Sequence, residues 1–411
     1  MTSTFADYRA VLTMRGARLP IVASAISRLP VPMFPIATLL YVQPATGSFV
    51  VAGLVSAGLM AGVALGSVIK GRILDRLRPS RPLLISAVAF AVVMAGLVWA
   101  IETHQPAAAM IALAVLAGLV EPPIPAASRM LWTVLIPPGP RRATAFSYEA
   151  ISFEAFFVLG PTLAALLVAA PWQGTGLVVG TAALTVGTVM FALSPVVWRQ
   201  EAVPAPAGRS GMLGVIARPG MQTLVLAALG FGLVVGTVQV GVTAATTAAG
   251  NPTMGGVLLS MWAIASVVAG FAYSLRPWPH PLNLRLPALL AAFGLMGAVL
   301  AAAAAASSAS LVPLIIAVLA AGALVTPQLT AQSLAVELAC PAGTAAEGFG
   351  WVITAATIGI AAGSSIGGLA VEQAGPPAAF LTGAAAAVAA AALLWARRES
   401  LADGPVPAAA Q

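Results

Sequence analysis

The chain has 411 residues, 60% of them hydrophobic and 8% charged, and a mean hydropathy of +0.99. A water-soluble domain carries about 25% charged residues, so composition excludes a soluble globule of this size. The net charge of +7 is divided among short segments rather than gathered on one face, which excludes nucleic acid as the expected partner and points to membrane topology and anionic headgroups.

An apolar run of about 17 to 25 residues crosses a bilayer as a helix. Twelve are expected in chain order: Leu19–Tyr41, Phe49–Ile69, Leu83–Ile101, Ala107–Ile136, Ala143–Ala170, Gly174–Trp198, Gln222–Ala248, Met254–Leu275, Leu286–Ala305, Leu311–Leu338, Ala345–Val371 and Pro377–Ala396. Seventeen of the nineteen Lys and Arg residues fall before the first span or at alternate connections: Arg9 to Arg18, Lys70 to Arg81, Arg141 and Arg142, Arg199 to Arg218, Arg276 and Arg285, Arg397 and Arg398. The remaining connections, such as Val42–Ser48, Glu102–Pro106 and Ala249–Thr253, have none. Short basic loops stay on the cytoplasmic side, so both termini are expected there. The first span is too long for a signal-peptide core, and no cleavable signal is expected. Arginine over lysine, with abundant Ala, Gly and Pro, suggests a GC-rich bacterial source and hence the cytoplasmic (inner) membrane. The lone Cys340 excludes an intrachain disulfide.

The expected fold is an all-α membrane protein of two six-helix pseudo-repeats. Residues 1–198 form the first bundle, 199–221 a Pro/Ala/Gly-rich cytoplasmic linker, and 222–411 the second bundle. Ala117-Gly118, Pro123, Pro137 and Gly139 recur 204 residues later as Ala321-Gly322, Pro327, Pro341 and Gly343. Phe146 and Gly160 recur 203 residues later as Phe349 and Gly363. Parallel repeats around a central path are a recurring transporter plan.

The loop Gly71-Arg-Ile-Leu-Asp75-Arg76-Leu-Arg78-Pro-Ser-Arg81 is similar to the Gly-x-x-x-Asp-Arg-x-Gly-Arg-Arg signature of the major facilitator superfamily, with Arg78 at the second glycine. Gly160-Pro161 in the fifth span resembles a remnant of the motif that packs helices in proton-driven antiporters. Arg28-Leu-Pro30, Pro122-Pro123 through Arg129 to Trp132, and Gly270-Phe-Ala-Tyr273 look like an actinobacterial, drug-efflux-like branch. The resemblance covers nearly the whole chain. It implies that Asp75 meets the start of the eleventh span near Ala345, and that the first, fourth, seventh and tenth spans line the path. Arg76 is expected to pair with Glu337 or Glu347 near this loop, and Arg72 and Arg78 to be ordinary loop charges.

The energy source is bounded by one residue. The only lysine, Lys70, precedes Gly71, so no Gly-Lys-Ser/Thr phosphate loop exists and transport must run on a gradient. Two basic residues, Arg28 and Arg129, fall inside spans, where an ionisable group costs at least ~2.5–3.5 kcal/mol unless paired or hydrated. At 1.5 Å per residue, Arg28 lies about 14 Å from the inner end, Glu154 about 17 Å, Glu121 about 22 Å, and Arg129 and Glu149 about 10 Å. Depth therefore permits Arg28 with Glu154 and Arg129 with Glu149. Desolvation favours the neutral form of a carboxyl and a neighbouring Arg the ionised form, so a group alternating between the two settings carries a proton. Glu154 is the leading proton carrier and Glu121 the second; the bland reading is a permanent ion pair that orders helices. Glu149 and Glu347 are expected to be structural or gate residues.

Prolines near the middles of spans free backbone carbonyls where a helix faces protein or a wet cavity. Pro123 and Pro327 on this ground, Phe34 and Trp132 as aromatic lining, and Gln239 as a hydrogen-bonding group are the candidate path residues in the four lining spans. An enzyme is not expected: His104 and His280 fall on opposite sides, one cysteine completes no metal cluster, and no nucleophile–base pair is evident. No cofactor or metal is expected. The function expected is a monomeric secondary transporter exporting small organic molecules in exchange for protons. Uptake of a sugar or organic acid, and a non-transporting membrane sensor, are the alternatives.

Overall fold

The computed structural model describes residues 5–14, 16–168, 170–200, 214–251, 253–275, 281–307, 310–341 and 343–401. These residues are mainly helical, with no strand among them. In chain order the helices are α1 (Phe5–Thr13), α2 (Arg18–Arg28), α3 (Phe34–Thr46), α4 (Phe49–Arg76), α5 (Ser80–Glu102), α6 (Ala107–Val120), α7 (Ile124–Leu135), α8 (Pro140–Val168) and α9 (Thr175–Ala192). There follow α10 (Pro195–Trp198), α11 (Pro219–Ala248), α12 (Thr253–Leu275), α13 (Leu282–Ala305), α14 (Val312–Gly322), α15 (Val325–Ala339), α16 (Ala345–Ala374) and α17 (Pro376–Ala396). Among the described residues, ten segments are long and apolar enough to cross a membrane, α6–α7 and α14–α15 each counting as one. The protein is thus a multi-pass membrane protein.

The other two expected spans differ from these ten in identifiable ways. The first is split into α2 and α3, and α8 carries Arg141, Arg142, Glu149 and Glu154 along its 29 residues. The split follows from Pro30, Pro32 and Pro35, which supply no backbone N–H. Single turns bridge the gap: Val31 N–H to Arg28 O, and Met33 and Phe34 N–H to Pro30 O. Gly160 on α8 accommodates the break: a Cβ there would lie 2.8 Å from Pro32 Cγ and 3.3 Å from Leu29 O. The side chain of Pro161 lies outside the described residues.

The break between α6 and α7 has the same origin in Pro122 and Pro123. Here the chain's only lysine caps the interrupted helix, Lys70 Nζ donating to Gly118 O at 3.1 Å and Glu121 O at 2.8 Å. A cation at a helix C-terminus is electrostatically favoured. Between α14 and α15, Ser266 of α12 plays the equivalent part, accepting the Thr326 N–H at 3.1 Å.

Helices α2 to α9 pack mainly on one another, as do α11 to α17. The two groups meet through α4 against α16, α8 against α12 and α15, and α7 against α16. The expected linker 199–221 falls largely on residues 201–213, outside the described set, as do Arg15, Arg276 and His280.

Candidate functional site

Spacing on α7 and α8 decides which polar groups meet. Ser128 and Trp132 are one helical turn apart and share a face. Both reach the same oxygen: Ser128 Oγ donates to Glu149 Oε1 at 2.7 Å and Trp132 Nε1 at 2.9 Å. Arg28, the last residue of α2, donates from Nη1 to Glu149 Oε2 at 2.5 Å and from Nη2 to Glu149 O at 3.2 Å. Arg28 and Glu149 are 3% and 1% exposed, so this is an ion pair shut away from water. The Arg28 guanidinium also lies 5.8 Å from the Phe156 ring centroid.

Depth alone would join Arg28 to Glu154, and the structure joins it to Glu149 instead. Five residues separate the two acids, which at 3.6 residues per turn sets them roughly 140° apart around α8. Glu149 faces α2 and α7, whereas Glu154 faces the second helix group. Glu154 is buried beside the Ser266 hydroxyl of α12, and among the described residues it makes no ion pair. Ser266 in turn exchanges a hydrogen bond with Thr326 Oγ1 at 2.7 Å, next to Pro327 at the start of α15. Glu154 therefore sits on the seam between the groups, against the α14–α15 break.

Arg129 follows Ser128 by one residue and so points about 100° away from it, toward α16. Its guanidinium lies 5.4 Å from the Phe349 ring centroid and beyond ion-pair reach of Glu149. Glu121 ends α6 with one carboxylate oxygen buried and unpartnered, in the field of Lys70. Lys70 was not singled out by sequence as its partner; the signal available was the lysine's position, two turns beyond Gly62 and one beyond Gly66 on the face of α4 that touches α6.

At the end bearing most of the Lys and Arg residues, the two groups are clasped. Both oxygens of Asp75 accept backbone N–H groups at the start of α16, from Ala346 at 3.0 Å and Glu347 at 2.7 Å. Gly71 permits this approach, because a Cβ would lie 2.3 Å from Ala346 O. Arg72 makes a two-pronged pair with Glu347, Nε to Oε2 at 3.1 Å and Nη2 to Oε1 at 2.5 Å, so it is more than a loop charge. Glu347 is thus taken by Arg72 and Glu337 by Arg142, and Arg76 pairs with neither. Ser67 and Thr354 exchange a hydrogen bond, and Tyr8 donates to Ser274 at 2.7 Å. Sequence left Arg72–Glu347 and Arg142–Glu337 unpaired because their partners are hundreds of residues apart and carry no local pattern.

At the opposite end, an open cleft of about 730 Å³ lies among α11, α12, α16 and α17, lined by Gln239, Thr243, Thr247, Leu259, Ser364 and Pro376. Of the five path candidates, Gln239 lines this cleft. Trp132 is bound to Glu149, and Pro123 and Pro327 sit at helix breaks. Phe34 is a correction: it is wholly buried in the first group, edge-on to Phe90 at 5.6 Å, because the break after Pro32 turns α3 into that core. Among the described residues no cluster of His, Cys, Asp and Glu could hold a metal ion.

The fold is that of known transporters. The chain aligns along 95% of its length, at 15% identity and a TM-score of 0.70, with a bacterial homologue of the iron transporter ferroportin in an outward-facing state, covering 100% of that chain. It aligns with the human organic anion transporter MFSD10 (TETRAN) at 17% identity and a TM-score of 0.66, over 94% of this chain and 99% of that one. The fucose:proton symporter FucP of E. coli gives 12% identity and a TM-score of 0.66, over 94% and 99%. No curated protein matches the chain in sequence. The family model of the Major Facilitator Superfamily matches residues 21–341, and the chain belongs to that superfamily of membrane transporters.

Proposed function

We propose that the protein is a proton-coupled exporter of small organic molecules, working by alternating access from the bacterial cytoplasmic membrane as a monomer. Split α2–α3 and charged α8 would complete twelve spans with the ten apolar segments, in two repeats of six. The breaks after Gly118 and Gly322, 204 residues apart, support the repeat. Positive-inside bias places the clasped end and both termini in the cytoplasm, so the cleft beside Gln239 faces outward.

The observation that carries the reading is Glu154. A buried carboxylate without a cation is costly, and a carboxyl held against a hydroxyl at a moving seam is suited to take up and release a proton. Separation of α8 from α12 would change its surroundings, which is what coupling requires. Arg28 and Glu149 then form the fixed pair that orders α2, α7 and α8, and Glu121 is the second carrier. Asp75, Gly71, Arg72 and Arg76 form the conformational loop. Gly160-Pro161 favours export over nutrient uptake.

Wild type and Glu154→Gln expressed in an efflux-deficient bacterium test this reading, with accumulation of a compound panel followed with and without a protonophore. The expected result is lower accumulation only in wild-type cells with an intact gradient. Equal export by the variant contradicts the assignment of Glu154, and higher accumulation with wild type turns the reading to uptake.

A further inference from the structure

Arg129 is the cation that this site leaves over. Its Nε is sealed in the interior without an acceptor, and among the described residues its guanidinium makes no hydrogen bond or ion pair. Glu149 is already engaged by Arg28, Ser128 and Trp132, and Arg129 makes no ion pair with it. What reaches Arg129 is the field of Glu149, opposed by the like charge of Arg28. Its one close neighbour is the Phe349 face, a weaker partner than an anion. The Nε of Arg28 is likewise buried without an acceptor.

Two guanidinium groups against one carboxylate leave a surplus positive charge at membrane depth. Among the described residues no other acid pairs with either arginine: Glu347 pairs with Arg72, Glu154 lies beside Ser266, and Glu121 lies in the field of Lys70. An uncompensated charge inside a bundle is expensive to maintain, so the arrangement calls for an anion from outside the chain. A planar guanidinium matches a carboxylate. Phe156, half-buried beside Arg28, offers apolar surface for the rest of a ligand, while Phe349 is buried against Phe146 beneath Arg129.

We infer that the substrates are amphipathic organic acids bearing a single carboxylate, and that Arg129 is the residue that selects them. The inference rests on the transporter reading of this site and adds the ligand class to it. Removing Arg129 should weaken carboxylate binding without harming the empty protein, since it also removes an unpaired buried charge.

The test is thermal unfolding of the purified full-length protein in detergent, with 2-naphthoate and 4-phenylbutyrate compared with their carboxamides. Wild type is expected to melt at a higher temperature with either carboxylate and to ignore the amides. Arg129→Gln should lose at least about tenfold in carboxylate affinity, while its ligand-free form melts no lower than wild type; Arg129→Lys should keep part of the affinity. Equal stabilisation by acids and amides, or none by either, overturns the inference. So does an Arg129→Gln protein that melts well below wild type yet binds the acids normally, since that marks a structural cation. If Arg129→Gln fails to fold, the acid–amide contrast in wild type and Arg129→Lys decides. No gradient is applied, so a lost acid preference refutes the ligand class while proton-driven export can stand, and failed export in cells leaves the binding contrast intact.

Discussion

The Arg28–Glu149 pair ties three helices together, so the consequence of breaking it depends on which partner goes. Glu149→Ala strands a guanidinium among buried groups and is expected to destabilise the protein by about 3–5 kcal/mol, whereas replacing both partners by Met and Leu of similar volume costs far less. Thermal unfolding of Glu149→Ala, Arg28→Met and the Arg28→Met/Glu149→Leu double variant checks this. Strict additivity of the two single losses would contradict a direct pair. Depth arithmetic could not find the pair. It places Arg28 level with Glu154, but it ignores rotation about α8 and the shortening of the first span by its break. Phe34 fails for a related reason, since its place beside three prolines says that the helix bends without saying into which core.

The clasp between α4 and α16 acts at the scale of whole elements. Carboxylate caps at a helix N-terminus are worth about 0.3–1 kcal/mol, up to ~2 kcal/mol when partly buried, and Asp75 holds two N–H groups at once. Cys340, just past α15, reports on this end. Burial, then the charges of Asp75 and Glu347, pushes its thiol up to about 12. The thiolate is the reactive form, so labelling by iodoacetamide at pH 8 should be slow in wild type and rise as pH climbs toward that value. Asp75→Asn and Gly71→Ala both loosen the clasp, and each should speed labelling at pH 8 by a few-fold to roughly tenfold. Unchanged labelling in both would mean that the clasp does not govern access to this end. Most of this element-scale design is legible in sequence: length and hydropathy mark the spans, and the Gly71–Arg81 loop marks the clasp. The ion pairs of Arg72 and Arg142 are not, because tertiary packing alone chooses Glu347 and Glu337 as their partners.

At the scale of the molecule, the two helix groups are joined at the clasped end, whereas the cleft at the other end lies within the second group, among α11, α12, α16 and α17; alternating access requires the groups themselves to part. The contacts that would have to part, Asp75 with α16, Ser67 with Thr354 and Arg142 with Glu337, all join the two helix groups, while the Arg28–Glu149 network lies within one of them. The reading therefore assigns rigidity to the network and motion to the seam where Glu154 meets Ser266. The most direct test is proton movement in proteoliposomes containing wild type or Glu154→Gln, with a substrate identified by binding. Wild type should move protons when substrate is added and accumulate substrate uphill when driven by an imposed pH gradient. Glu154→Gln should keep downhill substrate exchange while losing both proton movement and uphill accumulation. If the variant still drives substrate uphill at the wild-type rate, Glu154 carries no coupled proton and the account of the seam is wrong.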